Sequence, residues 1–252
     1  MSIQLNPMEQ FAPRPLVPLH LFGYDVSFTN QSLMMVIVVG AISILLPLAM
    51  ARRALVPSRA QSMAELSYEF VANMINAAAG EDGLVFFPFV FTIFLFVLFC
   101  NFFGLVPWTF TVTSQIAVTF ALAAVVIALV LITGFLKHGL GFFRLFVPDA
   151  PFFLLFLLVP IEIVSFLTRP ISLSVRLFAN MLAGHTMLQV FAGFVVALGA
   201  AGGILSVLSV APLVLLVAIM ALEILVAALQ AYVFAILTCI YLNEALHLHD
   251  NH

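Results

Sequence analysis

The stretch from Glu162 to His185 reads E-I-V-S-F-L-T-R-P-I-S-L-S-V-R-L-F-A-N-M-L-A-G-H. It lies inside a long apolar region, yet it carries Glu162, Arg169, Arg176, Asn180 and His185. Glu162, Arg169 and Arg176 are spaced seven apart, so on a helix they drift only about 20° per step. Ser165, Ser172 and Asn180 fall within the same stripe, roughly 80° wide at 100° per residue. Ile, Val, Leu and Phe occupy the other sides. The spacing predicts a helix surrounded mostly by lipid or packed helices, with one wet or paired face. An arginine at the centre of a bilayer-spanning helix costs about 2.5–3.5 kcal/mol on insertion scales. Two arginines and a glutamate on one face therefore need either partners or a role.

Composition places this stretch in a helical integral membrane protein. Of 252 residues, 65% are hydrophobic and 8% charged, and the mean hydropathy is +1.26. Soluble domains carry about 25% charged residues. Several windows run about 20 residues without a charge, the length a spanning helix needs. The alternating ten-residue strand pattern of a membrane barrel is missing. With a net charge of −3, no basic face argues for nucleic acid. Cys100 and Cys239 both fall in apolar spans and read as small core residues, not as a disulfide or a metal site. The first 20 residues lack the basic and then apolar regions of a signal peptide, and are not Arg- and Ser-rich like a transit peptide. The first span is expected to act as its own insertion signal.

The expected architecture is all-α: one membrane domain, 1–252, with about five crossings and one amphipathic surface helix. Residues 1–27 form an N-terminal arm in which Pro7, Pro13, Pro15 and Pro18 discourage helix. Span one covers 30–51, capped by Asn30 or Thr29, with Pro47 as a tolerated kink. Residues 58–79 are too polar to span. There Met63, Leu66, Phe70, Met74 and Ala77 keep a helical rhythm, and Ser62 with Glu65 reads as a capping box. This predicts a helix lying along the membrane surface, with a partly buried loop helix as the plainer alternative. Span two covers 84–105, with Asn101 near its end and Trp108 as an interfacial anchor. Span three covers 114–136. Two long stretches follow, 152–198 and 204–245, with Gly199, Gly202 and Gly203 between them. As helices they measure about 63–70 Å, twice the hydrocarbon thickness of about 30 Å. Pro160, Pro170 and Pro212 permit breaks, but no polar turn interrupts either stretch, so two long tilted helices forming a hairpin are expected. With the N-terminus outside, Arg52, Arg53, Arg59, Lys137 and Arg144 all fall on the cytoplasmic side and only Arg14 outside, a positive-inside split. The C-terminus is then cytoplasmic.

Arg176 is the sharpest chemical signal, because arginine stays protonated in proteins. It either faces a moving anion or aqueous cavity, or forms an ion pair with Glu162 or Glu223. Arg169 either pairs with Glu162 or contacts lipid headgroups. Glu223 is the lone ionisable group in the interior of the last stretch. Gln230 lies seven residues on and Tyr241 eleven beyond that, on nearly the same face. A buried carboxyl can hold a proton near neutral pH, which makes Glu223 a candidate relay. His185 is another, since histidine titrates closest to physiological pH. It lies about 140° off the arginine stripe at helical rotation, so it faces another cavity or helix; a hydrogen-bonded structural histidine is the plainer reading. No Walker-type phosphate loop is present, only His185 lies within the spans so haem ligation is not expected, and no cofactor or metal is implied. His247, His249 and His252 could bind a metal loosely, but a solvated end is the plainer reading. The residues describe a proton or ion path with a cationic residue at its middle.

S-L-S-V-R-L-F-A-N-M-L-A-G-H, residues 172–185, resembles the signature of subunit a of the F-type ATP synthase. E-I-L-V-A-A-L-Q-A-Y-V-F, residues 223–234, is similar to that family's second signature. The resemblance extends to E-Q-F near the N-terminus, S-F-T-N-Q-S-L, F-C-N-F-F-G-L-V-P, T-V-T-S-Q and the I-Y-L-N-E end, and is closest to alphaproteobacterial and mitochondrially encoded members. It implies a non-catalytic, proton-translocating stator subunit of an enzyme complex. Two tilted helices would pack against a ring of carboxyl-bearing rotor subunits, with two aqueous half-channels opening to opposite sides. Arg176 matches the essential arginine, and Asn180 and Gln230 match polar residues near the ring contact. His185 and Glu223 match the access-channel pair, and Glu162 and Ser172 further half-channel positions. Partners implied are the rotor ring, peripheral-stalk membrane subunits and the bilayer, with no nucleotide bound by this chain. The bacterial inner membrane is the expected location, with the mitochondrial inner membrane as alternative. Sodium is not excluded as the ion, though the His185 and Glu223 relay favours the proton.

Two rival readings make different demands. A secondary transporter predicts internal repeats with interrupted helices in both halves, and spans one to three do not match the last two stretches. A purely structural scaffold leaves Arg176, Glu223 and Gln230 without a reason.

Overall fold

A computed structural model describes residues 14–18, 20–21, 24–25, 27–51, 57–106, 109–139, 141–142 and 152–246. From Asn30 onward the regular elements among the described residues are helices: α1 Asn30–Met50, α2 Arg59–Ala79, α3 Phe87–Gly104, α4 Ile116–His138, α5 Phe152–Ala201, α6 Gly203–Leu208 and α7 Val210–Leu246. Among the described residues, five segments are long and apolar enough to cross a membrane: Asn30–Met50, Glu81–Gly104, Ile116–His138, Leu154–Ala201 and Ser206–Leu246. The protein is all-α in class, with a long helical hairpin at its C-terminal end. Before α1, two short antiparallel ribbons form, β1 Pro15–Val17 with β4 Phe28–Thr29 and β2 His20–Leu21 with β3 Tyr24–Asp25. Pro15 stands first in its strand, where the ladder can spare an N–H. Thr29 caps α1, its hydroxyl oxygen accepting the Ser32 N–H at 3.4 Å.

Helix α2 begins one turn earlier than its apparent capping box. Ser58 is the N-cap and its side chain accepts the Gln61 N–H. The Ser62 N–H already bonds the Ser58 carbonyl at 2.8 Å, so Ser62 is inside the helical ladder and cannot cap it. Ser58-x-x-Gln61 has the same box pattern. The apolar rhythm also divides. Val71, Met74, Ile75 and Ala79 are buried, while Met63, Leu66 and Phe70 stay exposed. The exposed set adjoins the buried one at 100° per residue, with Met63 only about 20° from Met74, so α2 carries one broad apolar stripe, packed along one side and open along the other.

The hairpin is built from unequal arms. Helix α5 runs unbroken for 50 residues with Pro160 and Pro170 inside it, a length of about 75 Å. Held within about 30 Å of hydrocarbon, such a helix must tilt steeply. Gly202 (φ 69°) and Gly203 (φ 62°) then reverse the chain, in a backbone region that glycine enters without a Cβ clash. The second arm is divided at Ser209 into α6 and α7. Pro212 explains the division, because it has no N–H to return to the carbonyl four residues back. Within the first turn of α7 that missing donor costs nothing.

The chain forms two compact units. One comprises Met1–Ile42, Phe96–Gln115 and Leu177–Ala231; the other comprises Ser43–Leu95, Ile116–Arg176 and Tyr232–His252. Buried residues of the first include Val97, Cys100, Asn101, Leu177, Met181, Glu223 and Ala227. Buried residues of the second include Val71, Ile75, Val90, Val126, Phe142, Phe234 and Leu242. In the second, Tyr68 packs on Phe87 with ring centroids 4.4 Å apart, and Lys137 pairs with Asp82 at 3.3 Å. Arg52, Arg53, Trp108, Arg144, the E-Q-F segment and the tail histidines lie outside the described residues.

Candidate functional site

The first unit carries a buried polar cluster. His185 of α5 and Glu223 of α7 meet with Nδ1 and Oε1 2.6 Å apart, and their side chains are 13% and 4% exposed. The other ring nitrogen, Nε2, lies 2.7 Å from the Gly104 carbonyl oxygen at the end of α3. It is also 2.9 Å from the Thr111 hydroxyl. A carbonyl can only accept, so Nε2 carries a hydrogen. One helical turn after Glu223, the Ala227 carbonyl accepts from Asn101 Nδ2 at 3.1 Å. Glu223 Oε2 and Asn101 Oδ1 are buried and have no hydrogen-bond partner among the described residues. Buried polar atoms are generally satisfied by protein or water, so these two atoms call for a further partner.

Two glycines make the cluster possible by having no side chain. A Cβ at Gly184 would stand 2.7 Å from Glu223 Oε1 and 3.0 Å from its Cδ. A Cβ at Gly104 would stand 2.8 Å from Thr111 Cγ2. Each marks a close approach of side chain to backbone.

The second unit holds a different pair. The Arg169 guanidinium donates to a carboxylate oxygen of Glu244. It also lies 5.5 Å from the Phe166 ring centroid and 5.2 Å from that of Tyr241. Of the two readings of Arg169, the pairing with Glu162 does not form among the described residues. Tyr241 and Glu244 sit three apart on α7 and present one face, which brackets the guanidinium between a carboxylate and aromatic rings. Glu162 is half-buried and makes no ion pair among the described residues. Replacing Arg169 by leucine is expected to cost about 1–2 kcal/mol, since the pair is neither fully exposed nor fully buried. The thermal midpoint of the purified complex should fall. Arg169→Lys should recover only part of the loss, because lysine lacks the planar group that stacks on rings.

Arg176 differs from both pairs. It is exposed, seven residues after Arg169 and nine before His185 on the same helix. It makes no hydrogen bond or ion pair among the described residues, and Glu162 of the same unit does not neutralise it. Ala179, Ala183, Met187, Val190 and Phe194 lie within about 60° of it on α5, and all are exposed. Ser172 is exposed, Asn180 half-buried and Gln230 buried. Helix α5 thus shows an open, mainly apolar face with one unpaired cation in it.

The ATP synthase A chain family matches residues 32–243. The chain belongs to this family. It is 57% identical over 245 residues to ATP synthase subunit a of Mesorhizobium japonicum, covering 97% of each chain. It is 59% identical over 243 residues to ATP synthase subunit a of Chelativorans sp., covering 96% of this chain and 98% of that one. With ATP synthase subunit a of Agrobacterium fabrum it shares 57% over 243 residues, 96% of this chain and 98% of the other. It is a membrane-integral, multi-pass member of the subunit a family.

Several residues of this subunit a family member gained a contact that sequence reasoning had not assigned: Thr111, Gly104, Gly184, Asn101 and Glu244. All lie in or beside the motifs that carry the resemblance. Only Glu244 had a readable signal, as a second acid that could compete with Glu162 for Arg169, three residues from Tyr241. Hydroxyls and glycines show no such imbalance in a sequence.

Proposed function

We propose that this chain is the proton-translocating stator subunit of an F-type ATP synthase in a bacterial inner membrane. It lines two aqueous half-channels beside a ring of carboxyl-bearing rotor subunits, next to peripheral-stalk membrane subunits, and couples proton flow to ring rotation and ATP synthesis. The observation that carries this reading is Arg176, an unpaired cation on the open face of α5. A rotor carboxylate reaching it gains about 4 kcal/mol at 4 Å and an effective dielectric of 20. That is enough to hold the deprotonated carboxylate and weak enough to lose it on reprotonation. Arg176 also bars protons from hopping directly between half-channels, since a fixed cation repels them.

His185 and Glu223 relay protons on the side of the hairpin turn, where the unsatisfied polar atoms of the cluster support a water path. Gln230 and Asn180 face the transfer region. Glu162 and Ser172 belong to the other half-channel, toward the opposite end of α5, with Arg169, Glu244 and Tyr241 as neighbours on that side. The relay of a histidine and a carboxyl favours protons over sodium, because imidazole carries the former and repels the latter when charged. Vesicles holding the assembled complex test the reading through ATP-driven acidification and passive proton leak, native against Arg176→Ala. Loss of pumping in an intact complex supports it; undiminished pumping refutes it.

A further inference from the structure

We propose that Thr111, together with the Gly104 carbonyl, fixes the tautomer and ring orientation of His185, so that its transferable proton lies on the line to Glu223. This rests on the relay reading of His185 and Glu223 and adds a positioning residue to it. The Gly104 carbonyl oxygen, 2.7 Å from Nε2, demands a hydrogen on that nitrogen. The Thr111 hydroxyl directs its own hydrogen to the same carbonyl, at 3.4 Å. Its oxygen lone pair therefore faces Nε2, 2.9 Å away. Three groups close a triangle in which every hydrogen has an acceptor. Gly104 permits the triangle, because a side chain there would collide with Thr111 Cγ2.

With Nε2–H held, only one proton remains free to move. Either Nδ1–H donates to the Glu223 carboxylate, or the protonated Glu223 donates to a bare Nδ1. The two states differ by one proton crossing the 2.6 Å between Nδ1 and Oε1. Without the clamp a neutral ring can carry its hydrogen on Nδ1 and leave Nε2 bare, or turn over, and the relay then loses its direction. Among the described residues shown against His185, Glu223 from α7 is titratable, while Thr111 and the Gly104 and Met181 backbone are not. The next titratable group on α3 is Cys100, one turn before Gly104 and buried, and Gln189 of α5 is neutral.

The test uses inverted vesicles with the complete complex. Thr111→Val keeps shape and removes the hydroxyl; Thr111→Ser keeps the hydroxyl and removes the methyl. ATP-driven pumping by the valine variant should fall about tenfold, the scale of one hydrogen bond to a charged group, and its pH–rate profile should move. The serine variant should return to within about twofold of native, with the native profile. In a His185→Gln background, Thr111→Val should cause no further loss, because residues acting through one another are not additive. Native pumping and profile in the valine variant overturn the proposal. So do equal defects in valine and serine variants, which would assign Thr111 to packing, and so does full additivity with His185→Gln. If the valine variant fails to assemble, Thr111→Cys replaces it, and equality of cysteine and serine variants overturns the clamp. His185→Gln alone separates the two levels: if it pumps normally the relay reading itself fails, whereas a defect there with normal Thr111→Val removes only the clamp.

Discussion

Arg176→Ala is expected to stop ATP-driven proton pumping while the complex still assembles. On the proposed reading, the charge would attract a rotor carboxylate by about 4 kcal/mol at contact and intermediate dielectric. At 1.36 kcal/mol per decade that is about a thousandfold, which puts residual pumping below ordinary vesicle leak. Assembly should survive because Arg176 has no partner among the described residues to leave behind. A cation at the bilayer centre also costs about 2.5–3.5 kcal/mol to insert, so alanine eases insertion. Arg169 presents the contrast: its loss strands Glu244 and empties the space between Phe166 and Tyr241. Stability should therefore separate the two arginines in one direction and pumping in the other. Acidification, passive leak and co-purification of the ring, measured on the same vesicles, check this. Native pumping by Arg176→Ala would move the scaffold reading to the front, and disassembly would reassign Arg176 as a structural contact.

The arginines were legible in the sequence because each breaks a strong local rule. A charge in a long apolar run is expensive, so it announces itself without any knowledge of its surroundings. The same contrast in hydropathy made the all-α class and the long hairpin legible, since apolar length alone decides both. What charge could not reveal was pairing. Arg169 has Glu162 one heptad back, yet its partner is Glu244, 75 residues on. Heptad spacing places two side chains on one face about 10 Å apart along the axis, too far for contact, whereas a packed antiparallel helix brings a carboxylate directly opposite. The cap of α2 was misread for a smaller reason. Two overlapping boxes, Ser58 with Gln61 and Ser62 with Glu65, fit the same pattern, and only the ladder decides which serine is outside it. Thr111, Gly104 and Gly184 were silent because their contribution is space and hydrogen-bond direction, which a one-dimensional pattern does not carry.

Gly184→Ala is expected to lower pumping about a hundredfold with little change in stability, the scale on which misplacing a reacting group by about 1 Å is felt. Two opposing effects act on the fold. Alanine in a helix interior gains about 1 kcal/mol over glycine, while overpacking a filled site costs about 1–3 kcal/mol. The net is small, so α5 should persist. The effect on Glu223 is not small. The new Cβ would lie 2.7 Å from Oε1, 3.0 Å from Cδ and 3.3 Å from Cγ, so the whole side chain must swing, not its tip alone. At 4% exposure it is enclosed by its neighbours, and any swing breaks the 2.6 Å approach to His185. Gly199→Ala is the matched control, since nothing lies within 4 Å of a Cβ there; it should pump at the native rate and gain slightly in stability. Combining Gly184→Ala with Glu223→Asp withdraws the carboxylate by one methylene and should restore part of the rate. If Gly184→Ala pumps like Gly199→Ala, the short contact between Glu223 and His185 is not needed for proton transfer, and the relay must run through water alone.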